Sequence, residues 1–141
     1  MEYALLFELF KKGPASPEAE EAWQYTYQAL SDVQSLCRAR SAALYVVYIP
    51  IKKQINHWES VTKFYRVDPE QYDRFLIDKK LKMFCDNHQI RFLDLAEELD
   101  KMPGKELFYY SFDKHLTAVG NQEVYAIIYP YLEDFLNLAH R

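Results

Sequence analysis

The chain has 141 residues, the length of one ordinary domain, and its 50% hydrophobic and 16% aromatic content argues against a disordered protein. Its net charge of −4, from 17 basic and 21 acidic residues in a mixed distribution, argues against a nucleic-acid-binding protein. Three glycines are too few for a glycine-rich phosphate-binding loop, so no cofactor is predicted.

The N-terminal residues 1–12 predict a short helix, because their apolar side chains recur at helical spacing. This stretch differs from a signal peptide, since Glu2 is acidic and no basic region precedes the apolar residues. The sequence as given therefore predicts a cytoplasmic protein, or an exported or periplasmic one if the natural N-terminus lies upstream. The longest apolar run, residues 42–49, is too short to cross a bilayer.

A second helix is predicted from Ser16-Pro17-Glu18, which combines a capping hydroxyl, a proline at the first helical position and an acid in the first turn. Its apolar face has a spacing of three and four residues. The predicted face consists of Trp23, Thr26, Tyr27, Leu30, Val33 and Cys37.

Residues 42–49, AALYVVYI, are β-branched and aromatic without polar alternation, which is typical of a strand buried on both faces of a parallel sheet. Pro50 ends this strand, and residues 51–67 are predicted to be an aromatic-rich connection. Asp68-Pro69-Glu70-Gln71 then predicts a helix start, because a capping Asp is followed by a Gln three residues later. The predicted apolar face of this helix consists of Tyr72, Phe75, Leu76, Met83 and Phe84.

The C-terminal part predicts a strand at residues 90–95, a helical turn at 96–102 and an extended stretch at 107–110. Thr117 can cap a last helix that begins near Ala118, in which Pro130 predicts a kink or a new start. The alternation of helices and strands predicts one α/β domain over residues 1–141, with a mostly parallel sheet between helices. Two strands are few, since a doubly wound domain has about five or more, so the sheet is predicted to be incomplete in this chain.

The cysteines and histidines predict no metal site. Cys37 and Cys85 each fall on the apolar face of a predicted helix, which favours two core thiols over a disulfide. The four histidines show no metal-ligand spacing. They are His57, His88, His115 and His140.

Asp113-Lys114-His115 comes directly before the last helix, on a predicted loop. A carboxylate two residues from a histidine can bond one ring nitrogen, which leaves the other free to accept a proton from a nucleophile. The alternative is that Asp113 only caps the helix start and His115 is a solvated loop residue. Asp94, at the end of the second strand, is another candidate acid, although a turn-forming role is favoured.

Three blocks of the sequence resemble the SGNH (GDSL-like) hydrolases. LFYYSFDKHLTAVGNQEVY is similar to the last motif of that family, in which an aromatic strand end, an Asp and a His precede a helix start. ALYVVYIPIKKQI and IRFLDLAEEL resemble two earlier strand blocks, and all three occur in the family's order over about residues 20–138. The resemblance implies a three-layer α/β/α fold of flavodoxin-like type, and an ester hydrolase or O-acyltransferase acting on an acylated glycan or another ester.

Under this resemblance His115 is the general base and Asp113 is its orienting partner. Gly120 matches the glycine that lets the last helix pack close to the sheet. Lys52 and Gln54 match polar positions after the Ile-Pro pair, which we interpret as structural or rim residues.

The sequence departs from the family because it contains no Gly-Asp-Ser nucleophile block and no glycine directly before the first strand for an oxyanion hole. None of its serines lies on a predicted strand-to-helix elbow. They are Ser16, Ser31, Ser35, Ser41, Ser60 and Ser111. The hypothesis is therefore that an upstream segment or a partner chain supplies the serine. The alternatives are a degenerate relative that binds without catalysis and an unrelated small α/β interaction domain.

Overall fold

The computed structural model describes residues 7–139, with side chains through residue 137. The chain divides into two compact units. The first unit contains the residues up to Val46 together with Glu59–Phe92, and the second contains Val47–Trp58 together with the residues from Leu93 onward.

The described part of the chain is a mixed α/β structure. Its helices and strands are α1 (Pro17–Ala39), β1 (Tyr45–Tyr48), α2 (Lys52–Ile55), α3 (Trp58–Phe64), α4 (Leu76–Asn87), β2 (Arg91–Asp94), α5 (Ala96–Lys101) and α6 (Ala118–Ala139). β1 and β2 pair as a small parallel sheet, so the predicted α/β class and parallel pairing are confirmed.

In the first unit, α1 begins as predicted. The Ser16 hydroxyl accepts a hydrogen bond from the backbone N–H of Ala19 at 3.3 Å, with Pro17 in the first turn. The predicted apolar face is correct at the buried Trp23 but wrong at Val33, which is 43% exposed. Gln34 is buried instead, because its amide donates a 2.7 Å hydrogen bond to the carbonyl of His88 at the C-terminal end of α4.

The N-terminal helix extends less far than predicted. Within the described residues, only residues 7 and 8 are helical before the chain turns, and residues 1–6 of the prediction lie outside the described part. Lys11 forms an antiparallel bridge with Tyr72, and the N–H of Lys12 donates to the carbonyl of Gln71 at 2.8 Å. These bonds hold residues 11 and 12 away from the helical conformation.

The predicted helix start at Asp68 is wrong. Asp68 does cap, since its side chain accepts a hydrogen bond from the N–H of Glu70 at 3.0 Å, but only a 3₁₀ turn at Pro69–Gln71 follows. The regular helix α4 begins at Leu76, and Met83 on its predicted apolar face is exposed.

The region around β1 differs from the prediction in two ways. β1 is shorter than residues 42–49, and its residues are half-buried rather than buried on both faces. The predicted connection at residues 51–67 contains α2 and α3, with Trp58 half-buried at the start of α3. Cys37 and Cys85 are free thiols, but the prediction of two core residues is correct only for the buried Cys85, since Cys37 is half-buried.

In the second unit, the start of α6 packs closely against the backbone of Phe108. The Thr117 hydroxyl accepts a 3.1 Å hydrogen bond from the backbone N–H of Gly120, which confirms the predicted helix cap. A Cβ at Gly120 would lie 2.9 Å from the carbonyl carbon of Phe108 and closer still to its oxygen, so only glycine fits. Pro130 lies inside a helix that continues on both sides of it, so the alternative of a new helix start is wrong.

The N-terminal turns of α6 carry its packing, through the buried residues Gly120 and Val124. Most described side chains beyond Val124 are exposed, although many are apolar. The large exposed residues of this part are Tyr125, Tyr129, Tyr131, Leu132 and Leu136. Among the described helices, none is both long and apolar enough to cross a membrane.

Candidate functional site

The Asp113-Lys114-His115 segment lies at the end of a hairpin-like loop in the second unit. Tyr109 and Leu116 form an antiparallel bridge at the base of the loop, and the N–H of Tyr110 donates to the carbonyl of His115 at 3.1 Å. The predicted extended stretch at residues 107–110 is therefore only partly correct, because Lys105–Leu107 forms a 3₁₀ turn instead.

The predicted pairing of Asp113 with His115 has the required geometry for one ring nitrogen. Asp113 Oδ1 lies 3.3 Å from Nδ1 of His115. The same oxygen accepts a shorter hydrogen bond, 2.7 Å, from the backbone N–H of His115, which closes an Asx turn. The imidazole is 86% exposed, so Nε2 is open to solvent or to a ligand. One carboxylate oxygen therefore shapes the loop and also lies 3.3 Å from the ring nitrogen.

The local hydrogen bonds favour the charged form of Asp113. The backbone N–H of His115 lowers the pKa of Asp113, and the imidazole of His115 and the ammonium of Lys52 act in the same direction against a partial desolvation. The carboxylate is therefore ionised at neutral pH, which is the state that can orient a neighbouring imidazole.

Three long-range hydrogen bonds hold this loop against the segment that follows β1. The Lys52 ammonium donates to the carbonyl oxygens of Tyr110, at 2.8 Å, and Ser111, at 3.1 Å. The buried Tyr109 hydroxyl donates to the carbonyl of Pro50. The loop position is thus set from the carboxyl end of β1, where open α/β sheets place their ligands.

Gln54 shapes the segment that carries Lys52. Its fully buried side chain accepts hydrogen bonds from the Tyr48 hydroxyl at 2.7 Å and from the N–H of Ile51 at 2.9 Å. The structural interpretation of Gln54 agrees with this placement. Lys52 is likewise a structural anchor, because its ammonium holds loop carbonyls.

The loop is bordered by positive charge. Partial burial lowers the pKa of Lys53, and the positive charge of Lys114 contributes in the same direction, which shows that the two ammonium groups interact. Two positive charges lie at the pair itself, because Lys114 is between Asp113 and His115 in the chain and the ammonium of Lys52 acts on the Asp113 carboxylate. Such a group of charges can stabilise negative charge that develops beside the imidazole.

Two aromatic side chains of the same loop are exposed. The ring centroids of Tyr110 and Phe112 lie 5.4 Å apart, and Phe112 is 82% exposed. No role was predicted for this pair, although the FYYSF pattern at residues 108–112 is the sequence signal that could have indicated it. An exposed ring pair offers an apolar surface for a ligand.

The structure also locates the other candidate residues. Asp94 Oδ1 accepts a 2.8 Å hydrogen bond from the backbone N–H of Ala96 at the start of α5, as its predicted turn-forming role requires. Ser111 is exposed in the same loop as His115, and it is the serine that the second unit contains. Among the described residues, no group of three or more His, Cys, Asp or Glu side chains could hold a metal ion.

The chain matches no protein-family model, and comparisons with curated proteins and with solved structures return no match. The SGNH resemblance therefore stays a prediction, based on the three sequence blocks.

Proposed function

We propose that Asp113 and His115 are the base half of a Ser-His-Asp triad in an SGNH-type ester hydrolase or O-acyltransferase. Asp113 orients the imidazole through Nδ1, and Nε2 accepts the proton of a serine that another segment or a partner chain supplies. The observation that carries this proposal is the 3.3 Å separation of Asp113 Oδ1 and His115 Nδ1, with the rest of the imidazole exposed.

The loop anchors support a catalytic role over a purely local turn. An Asx turn needs only Asp113 and the backbone of His115. The loop is in addition fixed by Lys52 and Tyr109, whose hydrogen-bond partners are 58 and 59 residues away. General-base catalysis requires an imidazole held in a fixed position, and these bonds restrict the backbone on one side of it.

The proposal also assigns a role to the lysines around the loop. Attack of a serine on an ester produces an oxyanion, which family members stabilise with a glycine and an asparagine from two further motifs, and this sequence has no glycine directly before its first strand for that purpose. Lys114 lies between Asp113 and His115 in the chain and the charge of Lys52 acts on Asp113, so these two ammonium groups provide a positive environment for that oxygen. The finer fold that this function implies is a three-layer α/β/α domain, to which this chain contributes two strands.

Hydrolysis of p-nitrophenyl acetate tests the proposal without the missing serine, because an oriented imidazole can also activate water. We expect His115→Ala to lower the rate above buffer about tenfold, a modest loss for a general base in an incomplete site. Asp113→Asn should lower it about threefold, because the amide orients the ring less well.

Matched controls separate the triad from unspecific imidazole chemistry. His57→Ala removes another exposed histidine of the same unit and should retain the rate. Ser111→Ala should also retain it, because the proposed nucleophile lies outside this chain. Equal rates for the His115 and His57 variants, or no rate above buffer in the parent chain, would contradict the acyl-transfer proposal.

The second candidate function is a non-catalytic binding module. The exposed Tyr110–Phe112 pair favours it, since such a surface can stack on a flat or ring-shaped ligand without any reaction. Titration of an acetylated oligosaccharide should then shift the NMR resonances of the 110–115 loop, and Phe112→Ala should abolish the shifts. Phe64→Ala, which removes an exposed phenylalanine of the first unit, is the control.

A further inference from the structure

Beyond its first turns, α6 carries a row of large apolar side chains that are exposed. The residues are Tyr125, Tyr129, Leu132 and Leu136, which are exposed by 63%, 44%, 38% and 54%, respectively. Their spacing of four, three and four residues places them within a stripe about 60° wide on one side of the helix. This row is the Tyr-Leu stripe.

The Tyr-Leu stripe lies on the side of α6 that faces away from the packing of the helix. Among the described side chains of α6, the buried residues are Gly120 and Val124, which lie roughly 130° around the helix axis from the stripe. The solvent side of a surface helix normally carries polar residues, whereas a helix that is apolar on all sides is a buried one. The stripe therefore calls for a partner surface that the described part of the chain does not supply.

The spacing of the stripe indicates that its partner is another helix. Apolar residues that recur at alternating intervals of four and three occupy the core positions of a coiled coil, where they insert between side chains of a facing helix. The rings of Tyr125 and Tyr129 lie 5.4 Å apart and form one continuous ridge. The Tyr129 hydroxyl donates a 2.7 Å hydrogen bond to Glu133 of the same helix, so burial of this ring would leave its polar atom paired.

The order of the four residues favours a second copy of this chain as the partner. When two α6 helices pair antiparallel about a two-fold axis near positions 130 and 131, Tyr125 of one copy faces Leu136 of the other, and Tyr129 faces Leu132. Every layer then combines a large ring with a smaller side chain, which is the arrangement that lets facing side chains interdigitate. In a parallel pair, each tyrosine would instead face the same tyrosine of the other copy.

The exposed area of the stripe fits a weak dimer. At about 200 Å² for a fully exposed side chain of this size, the stripe offers roughly 400 Å² in each copy. Two copies would bury about 800 Å² through the stripe alone, and the half-buried Ile128 and Phe135 beside it bring the total near the lower limit of about 1,000 Å² for a specific interface. Because interfaces of this size are weak, we expect a dissociation constant on the order of 10 µM.

We propose that the Tyr-Leu stripe is the interface of an antiparallel homodimer, in which the C-terminal turns of α6 from two copies of the chain pack against each other. This interface shares no residue with the proposed catalytic pair and does not depend on its function.

Sedimentation equilibrium of the complete chain, over about 1 to 200 µM, tests the proposal. We expect a monomer at the lowest concentration and a dimer at the highest. Leu132→Glu should weaken the dimer at least about 100-fold, because it buries an unpaired carboxylate against the Tyr129 ring of the other copy. Leu36→Glu makes the same change at an exposed leucine of α1 and should retain the dimer. Circular dichroism of both variants should match the parent, since both leucines are exposed in the single chain.

A mixture of two variants tests the antiparallel arrangement. Tyr129→Lys and Leu132→Glu should each be monomeric alone. In an antiparallel pair of one copy of each, the introduced ammonium and carboxylate face each other and the second central layer is unaltered, so the mixture should dimerise. In a parallel pair the two charges occupy different layers and stay unpaired.

Three results would count against the proposal. A parent chain that stays monomeric at the highest concentration overturns it and assigns the stripe to a helix of a different protein. Leu132→Glu that dimerises as strongly as the parent contradicts the location of the interface. A mixture of the two variants that stays monomeric contradicts the antiparallel arrangement.

Discussion

Gly120→Ala tests the packing on which the candidate loop depends. The added Cβ would lie 2.9 Å from the carbonyl carbon and 3.0 Å from the Cα of Phe108, and closer to the carbonyl oxygen. All three neighbours are backbone atoms, so no side chain can rotate away. The N-terminal end of α6 must move by about 1 Å to restore ordinary van der Waals contact.

The expected change in the free energy of unfolding is the sum of opposing contributions. Alanine in place of glycine stabilises a helix by about 1 kcal/mol. Overpacking against an unyielding neighbour costs about 3 kcal/mol, the upper part of the usual range. The shift also weakens the 2.9 Å hydrogen bond from the N–H of Thr117 to the carbonyl of Phe108, at a further cost of about 1 kcal/mol. The net effect is a loss of about 3 kcal/mol in the free energy of unfolding.

Urea unfolding followed by circular dichroism measures this change, and thermal unfolding should show a midpoint lower by roughly 10 °C for a chain of this length. Gln122→Ala, at an exposed position two residues later on the same helix, is the control and should change the free energy by less than about 0.5 kcal/mol. If Gly120→Ala were as stable as the parent or more stable, helix propensity would outweigh the close approach, and the predicted destabilisation would be wrong.

Two other substitutions test hydrogen bonds in the two units. Burial raises the pKa of Tyr109 to about 12, so its contribution to stability is complete below pH 10 and declines as the pH rises toward 12. Tyr109→Phe should lower the free energy of unfolding in urea by about 1–3 kcal/mol, because the Pro50 carbonyl loses its hydrogen-bond donor. The variant should also lose less stability than the parent at alkaline pH. An unchanged free energy of unfolding would argue against this hydrogen bond. Burial alone would raise the pKa of Asp73, but hydrogen bonds from Lys79 and from a backbone N–H outweigh this effect and lower the pKa. The ionised carboxylate therefore stabilises the fold at neutral pH, and this stabilisation is lost as the pH falls through the folded-state pKa, below about 4. Asp73→Asn should therefore lower the free energy of unfolding by about 1 kcal/mol at pH 7 and reduce its decrease at acid pH. Asp86→Asn, which removes the acid of an exposed ion pair, is the control and should have almost no effect. Equal changes in the two variants would contradict a larger contribution of the Asp73–Lys79 pair.

The sequence predicted those elements that local chemistry determines. Ser16 and Thr117 each cap a helix with their own hydroxyl, and both helices begin where those residues predicted. Asp68 also caps, but the helix expected there does not form, because the N–H of Asp73 donates to the carbonyl of Phe10, 63 positions earlier in the chain, at 2.8 Å. A tertiary bond of this kind overrides a local capping signal and cannot be read from the capping residues.

At the candidate site, too, local contacts could be predicted from the sequence and tertiary contacts could not. The spacing of Asp113 and His115 was sufficient to predict that the two side chains approach each other. The sequence could not indicate that the shortest bond of Asp113 goes to a backbone N–H, since both arrangements need the same two residues. The anchoring of the loop by Lys52 was not predicted either, because its acceptors are backbone carbonyls that carry no residue-specific signal.

The placement of the two tryptophans has a spectroscopic consequence. Trp23 is buried and stacked in the first unit, whereas Trp58 is half-buried in the second. Each compact unit therefore carries one intrinsic fluorophore, and the Trp23→Phe and Trp58→Phe variants report on one unit each. Coincident fluorescence transitions of the two variants would identify the units as one cooperative folding entity, and separate transitions would give each unit its own stability.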